Sequence, residues 1–167
     1  SAATFTLFGS EPFSLLASPV LLQAEQEGPP RESTLHIIPT PQQVAVKPSR
    51  FRVASSTRIV LGDGTVEGDK FAAEQINQHL AGTKDAQLKM VGEEAVRKLT
   101  TNFVYIGTPR SDRGKDFLRE RKGNLSKEMK EEGYFLDVNG DGVVIIAESP
   151  AGRFYVVMSF IQMIDRE

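Results

Sequence analysis

The clearest pattern of hydrophobic and polar positions lies near the end of the chain, in residues 133–147. Tyr134, Leu136 and Val138 alternate with their neighbours at a period of two, which predicts a strand. The Asn-Gly-Asp-Gly run at 139–142 tolerates positive φ and predicts a chain reversal. Residues 143–146 are all β-branched, which is typical of a central strand buried on both faces. We therefore predict a β-hairpin.

A helix follows this hairpin, with Ser149 as its N-cap and Pro150 at its first position. Between residues 154 and 164 only Ser159 and Gln162 are polar. The run is too short to span a bilayer, which takes about 20 residues. A helix that is apolar all round needs cover on more than one face, and a single sheet covers one face.

We therefore expect the side of this helix that its own sheet does not cover to pack on a further domain. We also expect the chain to be a fragment of a longer protein in which that domain follows. The predicted interface residues are Tyr155, Val156, Phe160 and Met163.

Periodicity in the upstream part predicts a mixture of strands and helices. A helix is predicted over residues 69–81, with Gly82 as its stop, because apolar residues recur there at helical spacing. Residues 92–99 favour a helical turn, and the charged stretch 108–130 favours a helix with a solvated face. Strands are predicted at 51–53, 58–61, 87–91 and 103–106. This order indicates a mixed sheet with helices packed on it, in the α+β or α/β class.

Composition narrows the class of protein. The chain has 167 residues, of which 40% are hydrophobic and 25% charged, as in soluble globular proteins. A net charge of −2 gives no electrostatic case for nucleic acid or an anionic membrane. There is no cysteine, so disulfides and thiolate metal sites are excluded. Residues 1–34 read as a disordered leader or linker, its first part resembling an export signal, and residues 35–167 as the domain.

One motif has the spacing of a calcium-binding loop of the pattern D-x-[DN]-x-[DN]-G-x5-E. An EF-hand needs a helix that begins inside the loop, whereas this sequence continues there as a β-branched strand. We therefore interpret the motif as a hairpin turn and expect no metal site. The residues concerned are Asp137, Asn139, Asp141, Gly142 and Glu148.

No other motif supplies catalytic chemistry. Residues 62–64, Gly-Asp-Gly, are too short for a phosphate loop, and no serine lies in a G-x-S-x-G elbow. The pairs at 93–94 and 131–132 are glutamates in surface-like stretches, and His79 lies at the apolar edge of a helix. We expect no catalytic, cofactor-binding or metal-binding residue in this chain.

Three segments in order nevertheless resemble a known domain. The segments are IIPTPQQV at 37–44, FVYIGT at 103–108, and EGYFL at 132–136 continuing through FYVV at 154–157. They are similar to the accessory domain that precedes the barrel in β-N-acetylhexosaminidases of glycoside hydrolase family twenty. O-GlcNAc hydrolases and α-glucuronidases carry a similar domain. The chain departs from the pattern at Val156, where the family commonly has glycine, and at Met158, where it commonly has glutamine.

The resemblance implies a mixed sheet with helices packed mainly on one face, followed in the same chain by a catalytic (β/α)8 barrel. In the family an acidic pair in the barrel polarises the substrate's N-acetyl group, which attacks the anomeric carbon. This sequence has no Asp-Glu or Asp-Asp dipeptide, so no catalytic residue can be assigned here.

The resemblance therefore implies a non-catalytic domain that stabilises an exported glycosidase, located in the periplasm, at the cell surface or outside the cell. It implies no cofactor, no membrane span and no nucleic acid, and contact with glycan only through the barrel. The alternative is a stand-alone carbohydrate- or protein-binding module. The absence of Trp and the presence of only three Tyr count against glycan stacking.

Overall fold

The computed structural model describes residues 49–62, 67–84, 86–125 and 133–164, which all belong to one compact unit, Leu35–Glu167. The motif at 37–44 and the predicted leader lie outside the described residues. In chain order the elements are β1 (Arg58–Leu61), α1 (Glu67–Lys84), β2 (Lys89–Gly92), a 3-10 turn (Glu93–Ala95), β3 (Phe103–Gly107), α2 (Asp112–Glu120), β4 (Tyr134–Val138), β5 (Gly142–Ala147) and α3 (Pro150–Ile164).

These strands form one five-stranded mixed sheet in the order β2-β1-β3-β5-β4. The pairs β2–β1, β1–β3 and β3–β5 are parallel, and β4 pairs antiparallel with β5 as the hairpin predicts. Residues 143–146 are fully buried, because β5 lies inside the sheet with helices over both of its faces. The predicted mixed α+β fold is confirmed.

Side chains alternate along the strands and build two apolar clusters, one on each face of the sheet. Ile59, Val104 and Ile145 face α1 and α3. Val60 and Val144 face the other way, toward the short helix α2. Two of the three helices in the described part of the chain therefore share one face, in agreement with helices packed mainly on one side.

The cover over α3 differs from the expectation. We expected a single sheet to cover one side of this helix only. The structure packs α3 against β4 and β5 and also sideways against α1, so that α1 supplies the lateral cover. Val156 and Phe160 are only 0% and 3% exposed and belong to the core of this unit.

Element boundaries agree in part with the sequence predictions. The N-cap of α3 is confirmed, because the backbone N–H of Gly152 donates to Ser149 Oγ at 3.0 Å. The predicted stop of α1 at Gly82 is wrong, since the helix continues to Lys84. The predicted strand at 51–53 is also wrong: Phe51 and Val53 pack against the core as irregular chain.

Candidate functional site

The outward side of α3 presents an apolar stripe, which we define as Phe154, Tyr155, Met158 and Ile161. Phe154, Met158 and Ile161 recur at i, i+4 and i+7 and share one side of the helix, and Tyr155 flanks them beside the polar Gln162. Phe154 is 40% exposed and the other three are half-buried, and Met158 and Ile161 also pack against the core of this unit. The rings of Phe154 and Tyr155 meet edge-on, with centroids 6.0 Å apart. An exposed large aromatic side chain on a helix otherwise used for core packing marks this stripe as a candidate interface.

The four predicted interface residues differ in burial. Val156 and Phe160 point into the core of this unit and have no surface left for a partner. Tyr155 and Met163 are half-buried and retain accessible surface. That these residues contact another domain stays a prediction.

A glycine marks the side of α3 that faces the sheet, a signal that sequence reasoning did not use. A Cβ on Gly152 would lie 2.9 Å from the carbonyl oxygen of Gly133 and 3.2 Å from the Cβ of Ala147. Only glycine allows the helix to approach the strands this closely. Val156 and Ser159 follow Gly152 at i+4 and i+7, so they also face the sheet. Phe154 lies on the opposite side of the helix and is thereby turned outward.

A buried ion pair joins the first turns of α1 and α3 at the carboxyl end of β5. Arg153 Nε lies 2.8 Å from Asp69 Oδ1, and the two side chains are 4% and 0% exposed. The same guanidinium donates through Nη1 to the carbonyl oxygen of Ala147 at 3.2 Å. A carboxylate enclosed in this way cannot reach a substrate, so the pair holds the helices rather than performing chemistry.

A second polar cluster lies on the opposite face of the sheet, around Tyr105. Its hydroxyl donates to Glu93 Oε2 at 3.2 Å and lies 3.1 Å from Ser111 Oγ. Arg113 Nε lies 3.8 Å from the same glutamate oxygen. Burial raises the pKa of Tyr105 well above its usual range, and the nearby Glu93 carboxylate raises it further. The hydroxyl therefore remains protonated and cannot act as a base near neutral pH.

Ser111, a member of this cluster, is the N-cap of α2. Its Oγ accepts from the backbone N–H of Gly114 at 3.0 Å, which caps α2, and donates to the carbonyl oxygen of Thr108 at 3.2 Å. The cluster thus ties β3, the 3-10 turn and α2 together. The signal for it in the sequence was weak, since Glu93, Tyr105 and Ser111 come from three separate elements.

The hairpin interpretation of the calcium-like motif is confirmed. Asn139 Oδ1 accepts from the backbone N–H groups of Asp141 and Gly142, at 3.0 and 3.1 Å. The asparagine oxygen thereby stabilises the reversal between β4 and β5, which is the role that an Asx turn gives it.

The two outer carboxylates of the same motif have cationic partners. Asp137, on β4, accepts from Arg121 Nη1 at 3.2 Å. Glu148 follows the far end of β5 and pairs with Arg110. In the antiparallel register Asp137 lies opposite Val144, so Glu148 is four residues further along the chain, about 13 Å at ~3.3 Å per residue. The described residues contain no group of three or more His, Asp or Glu that could hold a metal ion.

The remaining candidates do not come together. His79 is half-buried on α1, whereas Glu93 lies on the opposite face of the sheet. Glu94 is exposed. Residues 63–64 and the pair at 131–132 lie outside the described residues. No helix within the described ranges combines the length and the hydrophobicity needed to cross a membrane.

Comparison with known proteins now decides the family. A family model described as "Glycosyl hydrolase family 20, domain 2" matches residues 34–167, which is most of the chain. The chain belongs to this family. The predicted resemblance is therefore confirmed.

Individual relatives agree with the family. A curated Beta-hexosaminidase of Porphyromonas gingivalis strain W83 is 28% identical over 140 residues, which is 83% of this chain and 15% of that protein. Among solved structures, the GH20 beta-N-acetylhexosaminidase of Streptomyces coelicolor A3(2) matches with a TM-score of 0.51 and 19% identity, over 72% of this chain and 20% of that one. CpGH84D matches with a TM-score of 0.58 and 12% identity, over 78% of this chain and 21% of that one.

The two structural likenesses concern the fold alone, because sequence identity is low. In each comparison this family 20 domain 2 chain spans about a fifth or less of the relative's length.

Proposed function

We propose that this chain is the non-catalytic accessory domain of a β-N-acetylhexosaminidase, an enzyme that removes terminal N-acetylhexosamine from glycans. The support is the family 20 domain 2 match together with the similarity to a curated Beta-hexosaminidase. The two polar clusters described above are consistent with a non-catalytic role. Asp69 is paired with Arg153, Glu93 accepts from Tyr105, and the Ser111 hydroxyl caps α2.

The structural feature that supports a contact with another domain is the apolar stripe of α3. We propose that the stripe packs against the catalytic (β/α)8 barrel of the same polypeptide and stabilises it. Covering the accessible part of Phe154 and its neighbours contributes about 25 cal/mol per Å² of apolar surface removed from water. The edge-on pair of Phe154 and Tyr155 offers a rigid aromatic anchor of the kind that interfaces favour.

Enzymatic assay of two proteins tests the catalytic part of the proposal. We expect the 167-residue chain alone to hydrolyse no aryl N-acetylglucosaminide, and the full-length protein that contains it to hydrolyse the same substrate. Hydrolysis by the isolated chain would overturn the non-catalytic assignment. A full-length protein inactive on aryl N-acetylhexosaminides but active on another glycoside would overturn the proposed substrate.

We also propose an extracytoplasmic location for the parent enzyme, in the periplasm, at the cell surface or outside the cell. The support is the composition of residues 1–22, which are rich in Ala, Ser, Phe and Leu and carry a single charge at Glu11. Fractionation of the native cells tests this proposal. We expect the protein outside the cytoplasmic fraction, and its recovery with cytoplasmic marker enzymes would contradict the location.

A further inference from the structure

A depression of about 290 Å³ lies at the amino end of β1 and β3, on the face of the sheet that carries α2. It is at the opposite end of the strands from the Asp69–Arg153 pair, and it has no part in the proposed docking of α3. Ligand pockets typically have volumes of about 300–1,000 Å³, and this depression is near the lower end of that range. The space therefore suits a small molecule rather than a polypeptide segment.

The floor of the depression is apolar. Val60 and Phe103 lie beneath it at 0% and 2% exposure, and the half-buried Val96 and Leu99 form its side. These four side chains belong to the cluster packed under α2. Val60 and Phe103 have almost no accessible surface, so an apolar part of a ligand would contact Val96 and Leu99.

The rim of the depression is polar, and its charge is of one sign. Arg58 and Lys98 are the charged residues that line it, and no carboxylate in the described part of the chain lines it. Neither cation forms an ion pair with another described residue, whereas Arg110, Arg113 and Arg121 all do. Hydroxyl and amide groups complete the rim, from Ser56, Thr100, Thr101 and Asn102.

The rim is also held in place at one corner. Asn102 has a left-handed backbone with φ of 57°. Its N–H donates to the carbonyl oxygen of Asp141 at 2.7 Å, and its carbonyl accepts from the N–H of Arg58 at 3.1 Å. These two bonds fix the end of the 98–102 loop beside the start of β1. A fixed rim lowers the ordering cost of binding.

We propose that this depression binds a small organic anion, whose carboxylate or phosphate group contacts Arg58 and Lys98 and whose apolar body covers Val96 and Leu99. Carboxylate and phosphate share the acceptor oxygens that guanidinium and ammonium groups recognise. The proposal does not depend on the enzyme to which this domain belongs.

Nuclear magnetic resonance titration of the 167-residue chain with three probes tests the site. The probes are benzoate, phenyl phosphate and the neutral analogue benzamide. We expect saturable shifts of the Val60, Asn102 and Phe103 amides with the two anions and much weaker ones with benzamide. The tighter anion identifies the preferred head group. Equal binding of benzamide, or no saturable binding of either anion, would overturn the proposal.

Charge-removing variants give the matched control. Arg58→Gln and Lys98→Gln should each weaken anion binding about fivefold, the effect of one unit charge near 4 Å in water. Lys70→Gln removes the same charge from α1, an element packed on the other face of the sheet, and should leave binding unchanged. All three residues are exposed, so the variants should fold. An equal loss in Lys70→Gln would show a diffuse charge effect and would reject the site.

Discussion

At the scale of single residues, the hydroxyl of Tyr105 illustrates how burial sets a chemical property. It is held between Glu93 and Ser111, and burial raises its pKa. The folded protein therefore keeps a proton that the unfolded chain releases above its usual pKa of about 10. The contribution of Tyr105 to the free energy of unfolding is fully present below pH ~10. It is lost as pH rises further, because the unfolded state then binds fewer protons than the folded state.

Tyr105→Phe tests this pH dependence. The substitution removes the titrating group and one hydrogen bond, so it should lower the free energy of unfolding by about 1–2 kcal/mol at pH 7. It should also flatten the decline in stability between pH 9 and 11. Urea unfolding of both proteins across that range provides the measurement. Parallel pH profiles of the two proteins would contradict the assigned burial of the hydroxyl.

Two glycines in helices provide a matched pair. A Cβ at Gly152 would meet the Gly133 carbonyl oxygen and Ala147, whereas a Cβ at Gly82 would meet nothing within 4 Å. Gly152→Ala should therefore push α3 away from the sheet and lower the free energy of unfolding by about 1–3 kcal/mol. Gly82→Ala should stabilise by about 0.5–1 kcal/mol through helix propensity. Thermal unfolding midpoints that move in the same direction would refute the assigned orientation of α3.

At the scale of elements, the Asp69–Arg153 pair fixes the contact between α1 and α3. Arg153→Met leaves a buried carboxylate without its cation and should cost about 3–5 kcal/mol. The double variant Asp69→Leu/Arg153→Met removes both charges and should recover most of that loss. Arg119→Met breaks the exposed pair with Asp116 and should cost under about 1 kcal/mol. Chemical denaturation of the three variants measures these differences. If Arg153→Met lowered the free energy of unfolding as little as Arg119→Met does, the structural role of the Asp69–Arg153 pair would be contradicted.

The elements also show what the sequence could reveal. Alternation at Tyr134, Leu136 and Val138 located β4, and the β-branched run of β5 located the centre of the sheet, because local periodicity reports burial directly. The orientation of α3 was not recoverable in the same way. Apolar residues surround that helix, so periodicity cannot distinguish its faces.

Contacts between distant segments were hidden from the sequence for a different reason. Asp69 and Arg153 come from separate helices, while Arg58 comes from the start of β1 and Lys98 from the loop before β3. Nothing local indicates that such residues meet until the strand order is known. The interface prediction is affected in the same way, since the sequence alone did not show that Val156 and Phe160 lie in the core of this unit.

At the scale of the whole molecule, the proposed role requires the stripe of α3 to be covered in the parent enzyme. Phe154→Ser should then destabilise the full-length protein more than the isolated chain, by about 1–2 kcal/mol, because the lost apolar contact forms only in the larger protein. Met90 lies on the edge strand β2 and is 37% exposed. The control variant Met90→Ser should lower the free energy of unfolding by the same amount in both proteins. Equal costs of Phe154→Ser in both proteins would place the interface elsewhere.

The most direct measurement is amide hydrogen exchange over residues 154–162, compared between the isolated chain and the full-length enzyme under identical conditions. The proposed docking of α3 on a catalytic barrel predicts slower exchange of these amides in the full-length protein, while the amides of β2 exchange at similar rates in both. Exchange of 154–162 at the same rate in both proteins would contradict the account, because the stripe would then be as exposed beside the barrel as it is without it.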